Sequence, residues 1–210
     1  TLTDDIIYSA QGPQQAHSMG ILYAGLDNWV SNKNVIGGIT GKNTGSAYTQ
    51  IYALELIPKI DGKKWTCRNN TIGGTVANSI QIVSGNSSNP NMVHGIFSGE
   101  PDTYKPKYEI SNNVVRNLSA SSSAGVIGIL VVSQYHSGEN LIKNNTVYNL
   151  SSSVSGKEVY GIYIKWGGGV TIENNSVRSL SSNGSTYGIA AYNNKANCGI
   201  LVKNNWVKLG

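Results

Sequence analysis

The amino-acid sequence predicts an all-β protein, a single-stranded parallel β-solenoid of about six coils with Asn corner turns and Ser-rich loops. Three observations carry this. One short motif returns at a fixed phase, a second sits between its copies, and the stretches joining them absorb the length variation. The first motif reads "YEISNNVVRNL" (Tyr108 to Leu118), "LIKNNTVYNL" (Leu141 to Leu150), "VTIENNSVRSL" (Val170 to Leu180) and "ILVKNNWVKL" (Ile200 to Leu209). Aligned on the second residue of the pair, the anchors are Asn70, Asn113, Asn145, Asn175 and Asn205, with weaker copies at Asn34 and Asp5.

The pair marks a bend. Ile142 and Val147 are five residues apart, so both cannot face one side of a straight strand, where side chains alternate with period two. One residue between them must leave the ladder, and Asn tolerates the left-handed conformation better than other non-Gly residues. The reading assigns that corner to Asn145 and its equivalents Asn70, Asn113, Asn175 and Asn205. It turns the preceding Asn69, Asn112, Asn144, Asn174 and Asn204 inward as a stacked, hydrogen-bonded ladder.

The second motif is Gly-Ile-x-apolar, at Gly20, Gly95, Gly128, Gly161 and Gly188, with Ala53 as a degenerate copy. The connections, such as "SASSSAG", "SSSVSG" and "SSNGSTYG", suit solvent-facing turns. No sustained i, i+3, i+4, i+7 pattern supports amphipathic helices. The whole of residues 1–210 reads as one domain, expected to be a segment of a longer solenoid or a unit that stacks end to end.

Together, Gly-Ile-x-x and Ile-x-Asn-Asn-x-Val resemble the right-handed parallel β-helix of the pectate-lyase-like superfamily, over nearly the whole chain. The resemblance implies the right-handed fold. It implies little about activity, because the shared residues are packing and turn residues.

Composition narrows the partners. Of 210 residues 13% are charged, and 16 Lys+Arg against 11 Asp+Glu are spread without a basic cluster, which argues against nucleic acid. No apolar run reaches the roughly 18 residues of a membrane span, so no membrane insertion is expected. The chain opens on Thr with no charged-then-apolar leader, which reads as a processed protein or a piece of one. Cys67 and Cys198 are too far apart in sequence for a close-spaced metal site and read as free thiols.

Stacked columns allow site residues to be sought coil by coil. The column Leu2, Ser31, Cys67, Ile110, Ile142, Ile172 and Val202 should face in. So should Met19, Tyr52, His94, Ile127, Tyr160 and Tyr187, which makes His94 a packed core residue. The outward columns of the Gly-Ile strand are Leu22, Glu55, Phe97, Leu130, Tyr163, Ala190 and Ala24, Ile57, Gly99, Val132, Lys165, Tyr192. The resemblance implies looking for catalytic groups here, yet neither a polygalacturonase signature set nor a carboxylate pair appears, so no catalytic residue is assigned. What the face offers is a candidate carbohydrate-binding set: Phe97, Tyr163, Lys165, Trp166 and Tyr192. No cofactor is called for. Glu100 and Asp102 are the best-placed pair for Ca2+, but such hard cations want more oxygen ligands than that segment supplies. The Asn-x-Ser/Thr triplets at Asn69, Asn86, Asn117, Asn144, Asn149, Asn174 and Asn183 read as fold residues.

The leading expectation is a non-catalytic, extracellular or cell-surface β-helical module of bacterial type, serving as stalk, filament or adhesive surface. Its expected partners are itself end to end, the rest of a longer chain, or glycans. The alternatives are a polysaccharide lyase or glycoside hydrolase acting on acidic polysaccharide, and carbohydrate binding without turnover.

Overall fold

A computed structural model describes residues 6–10, 16–25, 27–43, 49–84, 91–99, 107–132, 140–166, 169–192 and 199–210. The chain is a right-handed parallel β-helix whose strands stack into three parallel sheets. The first sheet contains Ala16–Gly25, Thr49–Pro58, Asn91–Gly99, Ala124–Val132, Val159–Lys165 and Thr186–Tyr192, adjacent in chain order. The second contains Trp29–Asn32, Lys64–Arg68, Lys107–Ser111, Asn140–Lys143, Val170–Glu173 and Ile200–Lys203. The third contains nine shorter pieces, from Ile6–Ala10 through Val114–Ala120, Thr146–Ser152 and Ser176–Ser182 to Trp206–Lys208.

Each turn of the chain contributes to each sheet in sequence, and equivalent residues pair in register. Ser31, Cys67, Ile110, Ile142, Ile172 and Val202 form one column of the second sheet. Its members up to Ile172 are buried, whereas Val202 is exposed. Cys67, Ile110, Ile142 and Ile172 of this column join Val115, Val147 and Val177 in one continuous apolar core. Full burial of each such Ile contributes about 2 kcal/mol.

The Asn pair does make the corner between the second and third sheets, but the two residues exchange the roles expected of them. The left-handed residues are the first of each pair: Asn69, Asn112, Asn144, Asn174 and Asn204, with φ between 54° and 56°. They are exposed. The ladder is built from the second residues, Asn70, Asn113, Asn145 and Asn175, which are buried, with the half-buried Asn205 at its end. Asn145 Oδ1 accepts from both Asn113 N and Asn113 Nδ2 at 3.0 Å. Asn145 Nδ2 donates to Ile110 O and Asn175 Oδ1, each at 2.9 Å. The physical reason is capacity: a primary amide facing in can serve the corner N–H groups of the coil below, which no intrasheet carbonyl reaches.

A second bend corrects the expectation for the His94 column. Pairing in the first sheet runs through His94 and Ile127, skips Gly95 and Gly128, and resumes at Ile96 and Ile129. Val93 and Ile96 both join the core, so the intervening residue leaves the ladder and side-chain parity flips. Met19, Tyr52, His94, Ile127, Tyr160 and Tyr187 remain register partners, as expected. The described side chains of this row, however, belong with Glu55, Phe97 and Tyr163 on the outward side and outside the core. At Gly128 an added Cβ would lie 2.6 Å from Gly161 O, so the backbones approach too closely there for a side chain.

Candidate functional site

The first sheet's outward surface therefore carries three adjacent rows rather than two, and the extra row is mostly aromatic. Rings on it gather into two groups. In the first, Tyr52 stacks on His94 with centroids 4.9 Å apart and planes 4° apart. Phe97 lies against both, at 5.0 Å from Tyr52 and 5.5 Å from His94. In the second, Tyr160 stacks on Tyr163 at 4.5 Å and on Tyr187 at 4.8 Å. Offset stacking at such distances adds about 1 kcal/mol per pair beyond area burial.

The structure thus divides the sequence-derived candidates. Tyr163 and Lys165 lie on one strand, and Lys165 pairs in register with Tyr192 on the next. Lys165 Nζ sits 4.5 Å from the Trp166 ring centroid, a cation–π contact that holds the indole beside the strand end. Trp166 itself is left-handed, with φ 62°. Tyr192 is 56% exposed. These four form one neighbourhood. Phe97 is separated from it by the strand carrying Leu130, its register partner on the way to Tyr163, and packs instead with Tyr52 and His94. Tyr160, Tyr187 and Tyr52 were expected to face inward and were therefore left out of the candidate set. The odd three-residue spacing between core residues across Gly95 was the signal that could have found them.

A carboxyl and an imidazole lie buried on this surface. Glu55, register partner of Leu22 and Phe97, is 6% exposed, and its Oε2 has no hydrogen-bond partner. Burial raises its pKa above the usual carboxylate range. His94 is likewise buried, with Nδ1 unpartnered, and burial lowers its pKa to about 3. Burial thus favours the neutral form of each group, because an unpaired charge is costly away from water. Tyr160 donates to Glu158 Oε2 at 2.8 Å, and its pKa is raised, by burial first and then by that carboxylate.

Other candidates fall away from this face. Cys67 is buried in the core beside Asn70 Nδ2 at 3.3 Å, and burial pushes its thiol up to about 12. Leu2, Asp5, Asn86, Glu100, Asp102 and Cys198 lie outside the described residues. Among the described residues no three His, Cys, Asp or Glu side chains converge as a metal site would require. The triplet asparagines Asn69, Asn144 and Asn174 stand at the exposed corner, not in the inward ladder. Comparison with protein families, with curated proteins and with solved structures found no match to this chain.

Proposed function

We propose that this chain is a non-catalytic, extracellular or cell-surface β-helical module that serves as a stiff stalk or filament element and presents a carbohydrate-contacting face. The observation behind this reading is the row of rings held at sheet spacing on the first sheet, with Tyr163, Lys165, Trp166 and Tyr192 meeting at one place. Aromatic faces stack on the apolar faces of sugar rings, and a row fixed by parallel pairing needs no ordering on binding. The paired ladders support the stiff role. So do the apolar side chains Val202, Trp206 and Val207 exposed along the last described strands, a surface that further coils of the chain or a second copy end to end would cover. The repeat and the fold support kinship with the pectate-lyase-like superfamily, and the module is read as bacterial. In this reading no cofactor takes part.

Titration of a neutral and acidic oligosaccharide panel, followed by Trp and Tyr fluorescence, tests the face. Binding should weaken about tenfold in Trp166→Ala or Tyr192→Ala. Binding untouched by both would remove the carbohydrate role from this face. Negative-stain microscopy across a concentration series tests the filament role through rods lengthening in whole units.

One observation favours a second reading, a polysaccharide lyase or glycoside hydrolase. Glu55 and His94 are buried, unpartnered and on neighbouring strands, a pattern that recurs where pKa values are tuned for acid–base work. New unsaturated-uronide absorbance or reducing ends, lost in Glu55→Gln or Lys165→Ala, would replace the non-catalytic reading.

A further inference from the structure

The outer face of the third sheet carries two polar rows parallel to the solenoid axis. Arg116, Tyr148, Arg178 and Lys208 are successive register partners. Arg116 Nη1 donates to the Tyr148 hydroxyl at 2.9 Å, and the Arg178 guanidinium lies 4.4 Å from the centroid of the Tyr148 ring. Beyond a bend at the left-handed Asn117, Asn149 and Ser179 runs the second row: Thr40, Gln81, Ser119, Ser151 and Ser181. Neighbouring serines differ in what they do. Ser152 Oγ donates to Ala124 O at 2.8 Å and Ser182 Oγ to Lys157 O. The hydroxyls of Ser119, Ser151 and Ser181 have no hydrogen-bond partner among the described residues.

A loop turns this surface into a trough. Gly73, at φ 90°, leaves the third sheet, and the chain rejoins it at Ile80. An added Cβ at Gly73 would fall 1.7 Å from Arg116 O, so only glycine allows the exit so close to the next coil. Ser79 Oγ accepts from Gly74 N at 2.7 Å and Gly38 N at 3.2 Å, and Asn117 Nδ2 donates to Gly74 O at 2.6 Å. These bonds fix the loop as a wall. It bounds two clefts that share Asn78 and Gln81: one of about 550 Å3 reached by Arg116, the other of about 360 Å3 floored by Ser119, Ser151 and Ser181. No carboxylate lines either among the described residues.

We propose that this trough binds a linear acidic polysaccharide, one carrying carboxylate or sulfate groups, with its chain along the solenoid axis. Free hydroxyls and amides repeating every ~4.8 Å match a polymer rich in hydroxyls. The Arg116 guanidinium, whose Nε and Nη1 already donate to Gly73 O and to the Tyr148 hydroxyl, keeps its Nη2 N–H groups for a carboxylate or sulfate oxygen. The clefts have the size of a small-ligand site. The inference does not depend on the aromatic face of the first sheet, because the two surfaces lie on different sheets.

Calorimetry on the 210-residue chain tests it with oligogalacturonate, a sulfated glycan, a neutral glucan and single-stranded DNA. The expected result is binding of one or both anionic glycans that weakens with salt and exceeds that of the neutral glucan. Ser151→Asp and Ser181→Asp, both at the surface, should each weaken it about tenfold by setting a like charge in the trough. Arg116→Gln should do the same, while Lys203→Gln, on the second sheet and away from both faces, leaves it unchanged. Retained secondary structure and unfolding midpoint in the two Ser variants separate lost binding from lost fold. The proposal is overturned by equal or stronger binding of the neutral glucan or the DNA. Anionic binding indifferent to both Ser substitutions, or no binding of either anionic glycan, also overturns it.

Discussion

Replacing Asn145 by Ala removes a buried carboxamide at the middle of the ladder. Four side-chain hydrogen bonds disappear: two accepted from Asn113, one donated to Ile110 O and one donated to Asn175 Oδ1. Two of the partners are partly compensated. Asn113 Nδ2 keeps its bond to Cys67 O at 2.9 Å, and Asn175 Oδ1 still accepts from Asn145 N. Asn113 N–H is left buried with nothing to donate to. At about 1 kcal/mol for each lost bond and a further 1–3 kcal/mol for an orphaned buried donor, softened by the surviving partners, the loss should be about 4 kcal/mol. The same change at Asn144 touches an exposed left-handed corner, so Asn144→Ala should lose only about 1 kcal/mol and Asn144→Gly about 0.5 kcal/mol or less. Urea unfolding followed by Trp fluorescence reads both, with hydrogen exchange of the corner amides locating the damage. Tolerance of Asn145→Gly together with a large loss in Asn144→Gly would refute the assignment of corner and ladder.

His94 should make the protein acid-sensitive. Its folded pKa, about 3, lies below the unfolded value near 6.5, so the full stability is present above pH ~6.5 and falls between there and pH ~3. His94→Phe should flatten that limb in a plot of midpoint against pH. Glu55 acts in the opposite sense: its raised pKa leaves stability whole below the ordinary carboxylate range and reduces it as pH rises through the folded value. Glu55→Gln should therefore raise the midpoint at pH 7 to 8, and an unchanged midpoint would show that the carboxyl is hydrated. Gly73→Ala should destabilise by about 3 kcal/mol through its clash with Arg116 O, read by the same urea unfolding. In a Cys198→Ser background, Cys67 should resist an aromatic disulfide reagent in the native protein and react with one equivalent in urea.

The repeated pairing of strands was legible because every coil writes the same odd spacing between core residues. Ile142 and Val147 require one residue between them to step off the ladder, and the structure has that step. Which residue takes it was not legible: a corner at Asn144 or at Asn145 satisfies the parity equally, and only the stacked amides decide. The same arithmetic, three residues from Val93 to Ile96 and three from Val147 to Leu150, marks the bends at Gly95 and Asn149. Left unapplied at Gly95, it hid the outward Tyr and His row, and with it half of the aromatic surface. The trough on the third sheet was out of reach for another reason. Its wall is one irregular loop, Gly73 to Ser79, whose position depends on contacts to Gly38 and Asn117 in other coils, and no local pattern encodes these.

The amide ladder also gives the rod a direction. From Asn70 through Asn113, Asn145 and Asn175, every carboxamide donates to the oxygen of the next coil, so the small dipoles add rather than cancel. The oxygens look towards the first coils and the N–H groups towards the last. At the last described corner, Asn205 N–H is the one backbone donor of this series without a carboxamide oxygen above it, whereas Asn175 N–H finds Asn205 Oδ1 at 2.9 Å. Anything that continues the column must bring an acceptor to that spot, which a preceding-coil face presents and a second last-coil face does not. Any growth of such a rod would be vectorial: the two ends of the ladder complement each other head to tail, and a pairing of two identical ends is chemically mismatched.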